Sequence, residues 1–356
     1  MSMHTSLYQL HLHENAKMTN FFGWEMPLSY GSSIQEHNAV RNDVGCFDVS
    51  HMTILDILGA GGRQFLRKLL TNDVDRLPHP GAALYTCMCN EHGGIIDDLI
   101  VYQRSPDSYR LILNAGTKDK DLAWIEDKSQ GFAVGLQTRP DLSIIAVQGP
   151  NVFAKLPAIL NPAQHDAIST LKRFECVEIE QYFFARTGYT GEDGLEIILP
   201  HFLATSFWQQ CLKAGIKPCG LAARDSLRLE AGYMLYGQDM DESNTPLESG
   251  LSFTIKWKPQ DRDFIGMGAL LSQKDHLKQK MVGLILNDKA IMRANQKVII
   301  PNQPDGIITS GGYSPTLEKS IALARVPFET KSTAKVEIRD KLFDVTITSP
   351  RFIESN

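Results

Sequence analysis

Two adjacent carboxylates, Asp97 and Asp98, interrupt a stretch that otherwise reads as a buried β-strand: Gly93-Gly94-Ile95-Ile96-Asp97-Asp98-Leu99-Ile100-Val101-Tyr102. Side chains alternate faces along a strand. Strict alternation puts Ile96, Asp98, Ile100 and Tyr102 on one face and Ile95, Asp97, Leu99 and Val101 on the other. Whichever face meets a core therefore carries an aspartate into it. An unpartnered buried carboxylate is costly, so such a pair persists where something satisfies it or where a site uses it. Turn amides following Gly93-Gly94 are one way to satisfy the pair; a binding site is the other.

A chain of 356 residues is too long for one compact core, and two or three domains are expected. Hydrophobic content of 43% and charged content of 22% are ordinary for a soluble globular protein. The net charge of −5, from 36 basic and 41 acidic residues, gives no electrostatic case for a nucleic-acid partner. None of the six cysteines forms a C-x-x-C pair. Cys87 and Cys89 share a strand face, but no His or second Cys pair follows at finger-like spacing, so no metal is expected. The N-terminus carries no apolar signal core and no apolar run reaches spanning length. A cytoplasmic location with reduced thiols and no membrane partner is the expectation.

Alternation marks strands at 50–58, 85–89, 95–104, 109–114, 143–148, 182–187 and 194–199. Helical spacing marks 63–70, 118–128, 202–214 and 221–232. The turn Ser105-Pro106-Asp107-Ser108 joins two of these strands. A three-residue loop closing Arg104 on Ser108 sets Asn114 opposite Asp98, whereas a one-residue slip does not. Around 256–262 the chain becomes charged and loses periodicity, which places a boundary at 260/261. Beyond it, short strands at 282–286, 297–301, 306–310, 321–326, 334–338 and 343–348 predict a small closed β-barrel.

Three further segments carry groups that are expensive to keep. Arg186-Thr187-Gly188-Tyr189-Thr190-Gly191-Glu192-Asp193-Gly194-Leu195-Glu196 packs three glycines ahead of a strand that takes Glu196 into an apolar run. A recessed carboxylate can accept parallel N–H bonds from a 2-amino-heterocycle; a glycine hairpin with a solvated Glu is the plainer reading. Arg224 and Arg228 stand four apart on a helix, with Asp225 and Glu230 in pairing range, which suits either a planar or anionic ligand or an ordinary ion-pair ladder. His51, in Asp48-Val49-Ser50-His51-Met52, is either a general base or a structural hydrogen-bonder. No G-x-S-x-G, no phosphate-cradling loop and no cysteine in a basic setting is present.

The sequence resembles the aminomethyltransferase (T protein) family of the glycine cleavage system from about Tyr8 to the last barrel strand. The resemblance rests on Phe22-Gly23-Trp24-Glu25-Met26-Pro27, Phe47-Asp48-Val49-Ser50-His51-Met52 and Gly94 through Tyr102. It continues with Gln148-Gly149-Pro150, the Thr187 to Glu196 segment, Arg224 to Gly232, Leu235-Tyr236-Gly237-Gln238-Asp239-Met240-Asp241 and Asp263-Phe264-Ile265-Gly266. It implies an α+β class: a three-lobed folate-binding fold with mixed α/β lobes and a C-terminal β-barrel. Residues 1–260 would form the folate-binding region, its middle lobe roughly 50–140, and 261–356 the barrel.

The resemblance also implies a reaction. An aminomethyl group carried on the lipoyl arm of the H protein passes to tetrahydrofolate, releasing ammonia and giving 5,10-methylenetetrahydrofolate. Asp98 maps to the family's key carboxylate, hydrogen-bonding the folate amine. Met52, Tyr85, Ile100, Tyr102 and Asn114 map to the folate's surroundings, and Glu196 to the pterin amidine edge with Tyr189 and Arg224 beside it. Arg224, Arg228 and Arg293 are candidates for a basic cluster near the cavity mouth that meets the H protein. The family often places an Arg or Tyr in the extreme C-terminal tail near the folate; here Glu354 stands where Arg is frequent, and either Arg351 substitutes or that contact is missing. A related iron–sulfur maintenance branch carries a Lys-Gly-Cys element that is absent before Gly237-Gln238. A demethylase branch, often fused to a flavin oxidase, shares the same folate pocket.

Overall fold

The computed structural model describes residues 2–259, 262–331 and 333–354. The boundary expected at 260/261 falls on Gln260 and Asp261, outside the described residues. A five-stranded antiparallel sheet runs in the order Ala83–Cys89, Ile95–Ser105, Ser108–Leu113, Thr53–Leu58, Gly135–Thr138. A six-stranded sheet runs Cys176–Ile179, Tyr182–Ala185, Gly194–Pro200, Leu142–Gln148, Gly45–Asp48, Lys217–Pro218, its last pair parallel. Period-two patterning explains how they stack. Leu99 and Val101 join Leu55, Leu111 and Leu113 against Phe65 and Ile125 of the helices Gly62–Leu69 and Lys118–Lys128. Ile145, Val147 and Ile197 of the other sheet pack against Phe207 and Trp208 of the helix His201–Lys213. The opposite faces meet in the middle, where Phe47, Ile54, Tyr102, Ile112, Ile144, Phe183 and Ile198 form a shared core. The result is four layers, helix on sheet on sheet on helix.

The barrel closes with six strands in the order Gln279–Leu286, Lys319–Pro327, Gly306–Ser314, Lys297–Ile299, Thr333–Ile338, Lys341–Thr348. Each expected barrel strand overlaps one of these. The barrel docks through Leu323 and Ile321 onto Leu229, Met234, Cys87, Cys89 and Ile95. A buried ion network reinforces the joint. Glu230, on the helix Leu221–Ala231, accepts hydrogen bonds from Arg41 at 3.0 Å, Ser314 at 2.5 Å and Thr316 at 2.8 Å, with His37 at 3.2 Å.

Three details depart from the sequence reading. A β-bulge between Met88 and Cys89 breaks the alternation at the strand entrance. Ile96 therefore packs with Leu99 and Val101, while Ile95 turns toward Cys87 and Cys89, the reverse of the expected faces. The hairpin closes tighter than expected, with Ser105 opposite Ser108, and a bulge at Arg104 restores the offset so that Ile100 faces Ile112. Two compensating irregularities thus give the register a three-residue loop would have given. Finally, the strand expected from residue 50 begins at Thr53, because Met52 N–H closes a turn on the Val49 carbonyl and Asp48 accepts the Ser50 amide.

Candidate active site

A cavity of about 1210 Å³ opens where the sheet core, the helix Leu221–Ala231, the N-terminal hairpin of Lys17–Phe21 and Trp24–Ser29, and the tail of the barrel converge. Its polar groups come from separate elements. Asp98 enters from the strand Ile95–Ser105 and Tyr85 from the neighbouring strand, whose register puts it beside Ile100. Asn114 arrives as the strand Ser108–Leu113 gives way to a short turn before the helix Lys118–Lys128. Glycine is required at the strand entrance, since a Cβ on Gly94 would lie 1.9 Å from the Glu242 carbonyl oxygen.

Asp98 accepts the Tyr85 hydroxyl at 2.7 Å on one oxygen and the Asn114 side-chain amide at 3.0 Å on the other. The same amide donates to Asp97 at 2.9 Å, and Asp97 takes the Asn114 backbone N–H at 3.2 Å and the Thr117 hydroxyl at 3.1 Å. Turn amides do not satisfy the pair: the Gly94 amide is given to Asn90. Burial and then repulsion from Asp97 push the Asp98 carboxyl up to about 7, against the pull of its Tyr85 and Asn114 hydrogen bonds. Asp98 is thus held well above the usual carboxylate range.

Elsewhere in the cavity lining, Thr187 donates to Glu196 Oε2 at 2.6 Å. A carboxylate cannot return that proton, so the Tyr102 hydroxyl, 2.8 Å from Thr187 Oγ1, is the donor to Thr187. Tyr102 is fully buried and lies behind the wall rather than in it: the expectation that it lines the cavity is corrected to a support of Glu196 through Thr187. The cause is the sheet-to-sheet core, which closes over Tyr102 against Phe183. Arg224 lies 4.8 Å over the Tyr189 ring, and its Nη1 is buried without a hydrogen-bond partner among the described residues. An unsatisfied guanidinium N–H beside a carboxylate and an aromatic face is prepared for a ligand acceptor. Met52, Ile100 and Ile112 give the apolar wall.

The structure separates other candidates. His51 lines the cavity edge-on to Phe21, but burial and the Arg224 charge push it down to about 4, which makes it a neutral imidazole and a poor base. Arg228 leaves the cavity altogether. It is buried against Asp239 at 2.8 Å and Ser310 at 2.9 Å, joining the helix to the barrel, while Glu230 pairs with Arg41 and His37 instead of either helix arginine. Arg293 is exposed and does not line the cavity. Arg351 does line it, and Glu354 does not. Cys87 and Cys89 are buried behind Tyr85 in the barrel-side core. Among the described residues, no group of three or more His, Cys, Asp or Glu is arranged to hold a metal ion, and no helix is long and apolar enough to cross a membrane.

Several lining residues carried no readable signal. Phe253, 66% exposed, stacks 6.1 Å from Tyr85 at the rim. Tyr236 donates to the Ile95 carbonyl and accepts Lys120 at 2.7 Å, bridging loop, strand and helix. Phe21 ends a strand of modest apolar content, and Phe22 beside it opens a segment that carries the family resemblance. The one pointer to Tyr236 in the sequence is its place in the 235–241 segment that carries the family resemblance.

Comparison with known proteins follows the same lines. The family model described as GCVT N-terminal domain matches residues 7–259, and the glycine cleavage T-protein C-terminal barrel domain matches residues 279–354. An aminomethyltransferase of Legionella pneumophila is 66% identical over 355 residues, covering 99% of this chain and 99% of the relative. An aminomethyltransferase of Alcanivorax borkumensis is 52% identical over 355 residues, covering 100% of this chain and 98% of the relative. The crystal structure of the glycine cleavage system aminomethyltransferase T from Bartonella henselae superposes with a TM-score of 0.93 at 32% identity, covering 100% of this chain and 99% of that one.

Proposed function

This chain belongs to the glycine cleavage T-protein family of aminomethyltransferases, and on that premise we propose that its cavity binds tetrahydrofolate and receives an aminomethyl group from the lipoyl arm of an H protein. The carrying observation is the convergence of Asp98, Glu196 and an unsatisfied Arg224 on one cavity. The donors and acceptors left open suit a pterin. Glu196 retains Oε1 for the N–H edge, Arg224 Nη1 seeks an acceptor, and Tyr189 and Met52 supply flat apolar contact.

In the reaction the one-carbon unit leaves sulfur and nitrogen and bonds to two folate nitrogens. The two hydrogens those nitrogens lose end on ammonia and on the lipoyl sulfur. The work of the protein is to hold the nitrogens in line and to manage a proton. Asp98 is suited to the second task because burial and the Asp97 charge push its carboxyl well above the usual range while Tyr85 and Asn114 fix its orientation. Ser349, Pro350 and Arg351 bring the barrel's tail to the cavity, so the folate-binding region proposed for 1–260 is completed by residues from 261–356. The reading places the enzyme in the cytoplasm, where six unpaired cysteines stay reduced.

The test is formation of methylenetetrahydrofolate from aminomethylated H protein. Asp98→Asn should lose roughly 10²-fold or more in rate. Glu196→Ala and Arg224→Ala should each cost on the order of 2–3 kcal/mol of folate affinity by calorimetry. Wild-type affinity in both binding variants would refute the pocket reading.

A further inference from the structure

Behind the Asp97–Asp98 pair lies a third carboxyl that the proposed reaction does not use. Asp121, on the helix Lys118–Lys128, is fully buried, and neither of its oxygens receives a hydrogen bond from a donor among the described residues. Its polar neighbours are the Asp97 carboxyl and the Thr117 hydroxyl. A hydroxyl has one proton to give, and Thr117 Oγ1 lies 3.1 Å from both Asp97 Oδ2 and the Asn114 carbonyl oxygen. Two carboxyls in hydrogen-bond contact in a buried site require a proton between them.

Which of the two keeps it follows from their surroundings. Asp97 already accepts the Asn114 backbone N–H, the Asn114 side-chain amide and the Thr117 hydroxyl, three donors that favour its anion. Asp121 has none. We propose that Asp121 is a permanently neutral carboxylic acid that donates its proton to Asp97 and so acts, through Asp97 and Asn114, as a positioning residue for Asp98. The proton leaves no net charge on Asp121, keeps Asp97 ionised, and thereby maintains the like-charge neighbour that lifts Asp98 toward neutrality. Burial and the Asp97 charge both push the Asp121 carboxyl up, in the same direction.

Other charged groups near this carboxyl are accounted for. Lys120, next on the helix, turns to the Tyr236 hydroxyl at 2.7 Å and Glu242 at 2.8 Å. From the loop that packs across the strand entrance, Tyr236 feels the charges of Asp97, Glu242, Asp121 and Asp241. Asp98 itself is held by Tyr85 and Asn114. Among the described residues, neither Lys120 nor Tyr236 donates a hydrogen bond to Asp121.

The proposal rests on the role given above to Asp98, and two measurements separate the two ideas. Infrared spectra at pH 9, where Asp98 is ionised, should show the C=O stretch of a protonated carboxylic acid in the wild type and in Asp98→Asn. The band should vanish in Asp121→Asn. Its persistence there at wild-type intensity would overturn the proposal whatever the substrate proves to be. The pH–rate profile gives the second arm. Asp121→Leu keeps the volume but removes the donor, so Asp97 takes up a proton, its repulsion of Asp98 disappears, and the limb that depends on Asp98 moves toward acid by about one unit, a tenfold change in proton affinity. Asp121→Asn retains an N–H donor and should restore the limb most of the way toward wild type. A limb unmoved in Asp121→Leu would also overturn the proposal; should that variant fail to fold, the infrared comparison with Asp121→Asn decides alone. A wild type with no limb dependent on Asp98 would count against the Asp98 assignment and leave the infrared result standing.

Discussion

The carboxyl best suited to the chemistry should be a liability to the fold, and Asp98→Asn tests this quantitatively. Asp98 rises from an ordinary value of 3.8 to about 7 in the folded protein, chiefly through burial. A raised carboxylate pKa stabilises the native state fully below the unfolded value, and that contribution is lost as pH climbs through the folded value. Between about pH 4 and 7 the unfolded chain therefore gains from ionisation what the native chain cannot. The difference of about three units corresponds to roughly 4 kcal/mol at 1.36 kcal/mol per unit. The carboxyl also faces the cavity. Water there screens part of this penalty, so roughly 2–4 kcal/mol is the expected range. Asparagine at this position carries no such penalty. Asp98→Asn should match the wild type in thermal stability near pH 4, gain steadily to pH 7, and hold a plateau at pH 8 of at least about 3 °C in Tm. Differential scanning fluorimetry across pH 4–8 measures it. A variant that is equally stable at pH 8, or that gains at pH 4 as much as at pH 8, would refute the buried, raised carboxyl.

Removing the hydroxyl in Tyr85→Phe takes away a hydrogen bond that favours the Asp98 anion, so the Asp98 limb of the pH–rate profile should move alkaline by roughly half to one unit; an unmoved limb contradicts the geometry. Glu230→Gln takes from buried Arg41 one of its two carboxylate partners, leaving Glu192, and removes the charge that Ser314 and Thr316 hydrogen-bond; it should cost about 3 kcal/mol in urea denaturation at pH 7. Glu230 is held at about 2: burial alone would raise it, but His37, Ser314 and Arg41 outweigh that. Its stabilisation is present above the ordinary 4.5 and fades as pH falls toward 2, where the variant and wild type should converge; a gap constant with pH would rule the charge out. Burial pushes all six thiols up, so alkylation at pH 8 should label the native enzyme slowly and all six cysteines after denaturation. Rapid labelling of native protein with loss of activity would contradict the burial of Cys87 and Cys89.

What the sequence disclosed was what periodicity and glycine could mark. The helix Lys118–Lys128 begins and ends where its spacing said, because charged residues on one face and Leu122 and Ile125 on the other leave no ambiguity. Six barrel strands were legible because turns punctuate them. The faces of Ile95 and Ile96 were not, since a bulge is a property of two paired strands and the alternation of one strand cannot contain it. Tyr102 was misplaced for a related reason. A residue two positions beyond a lining residue shares its face, but the second sheet closes over that face after Ile100. Arg228 shows the limit of helical spacing. Four residues from Arg224 it occupies the same stripe, yet the barrel covers that part of the stripe and converts a presumed ligand contact into an interdomain tie. The burial of Asp121 was invisible, because one Asp among the three of a charged helix looks solvated until the helix is docked.

The way Glu230 is satisfied bears on biosynthesis. Its partners His37, Arg41, Ser314 and Thr316 come from opposite ends of the chain. Gly232, at φ +74°, leaves the same helix where a Cβ would lie 2.6 Å from the Pro350 carbonyl oxygen. During synthesis the helix is complete long before the strands that neutralise it have left the ribosome. Until the barrel strands Gly306–Ser314 and Lys319–Pro327 form, Glu230 and Arg228 lack part of their hydrogen bonding, and the apolar seam of Leu229 and Met234 lacks its cover of Ile321 and Leu323. A nascent chain stalled or truncated near residue 280 would therefore present a sticky, charged seam to chaperones rather than a weak enzyme. Competence to bind a ligand arrives late and all at once, when the final strand docks and its tail seals the rim.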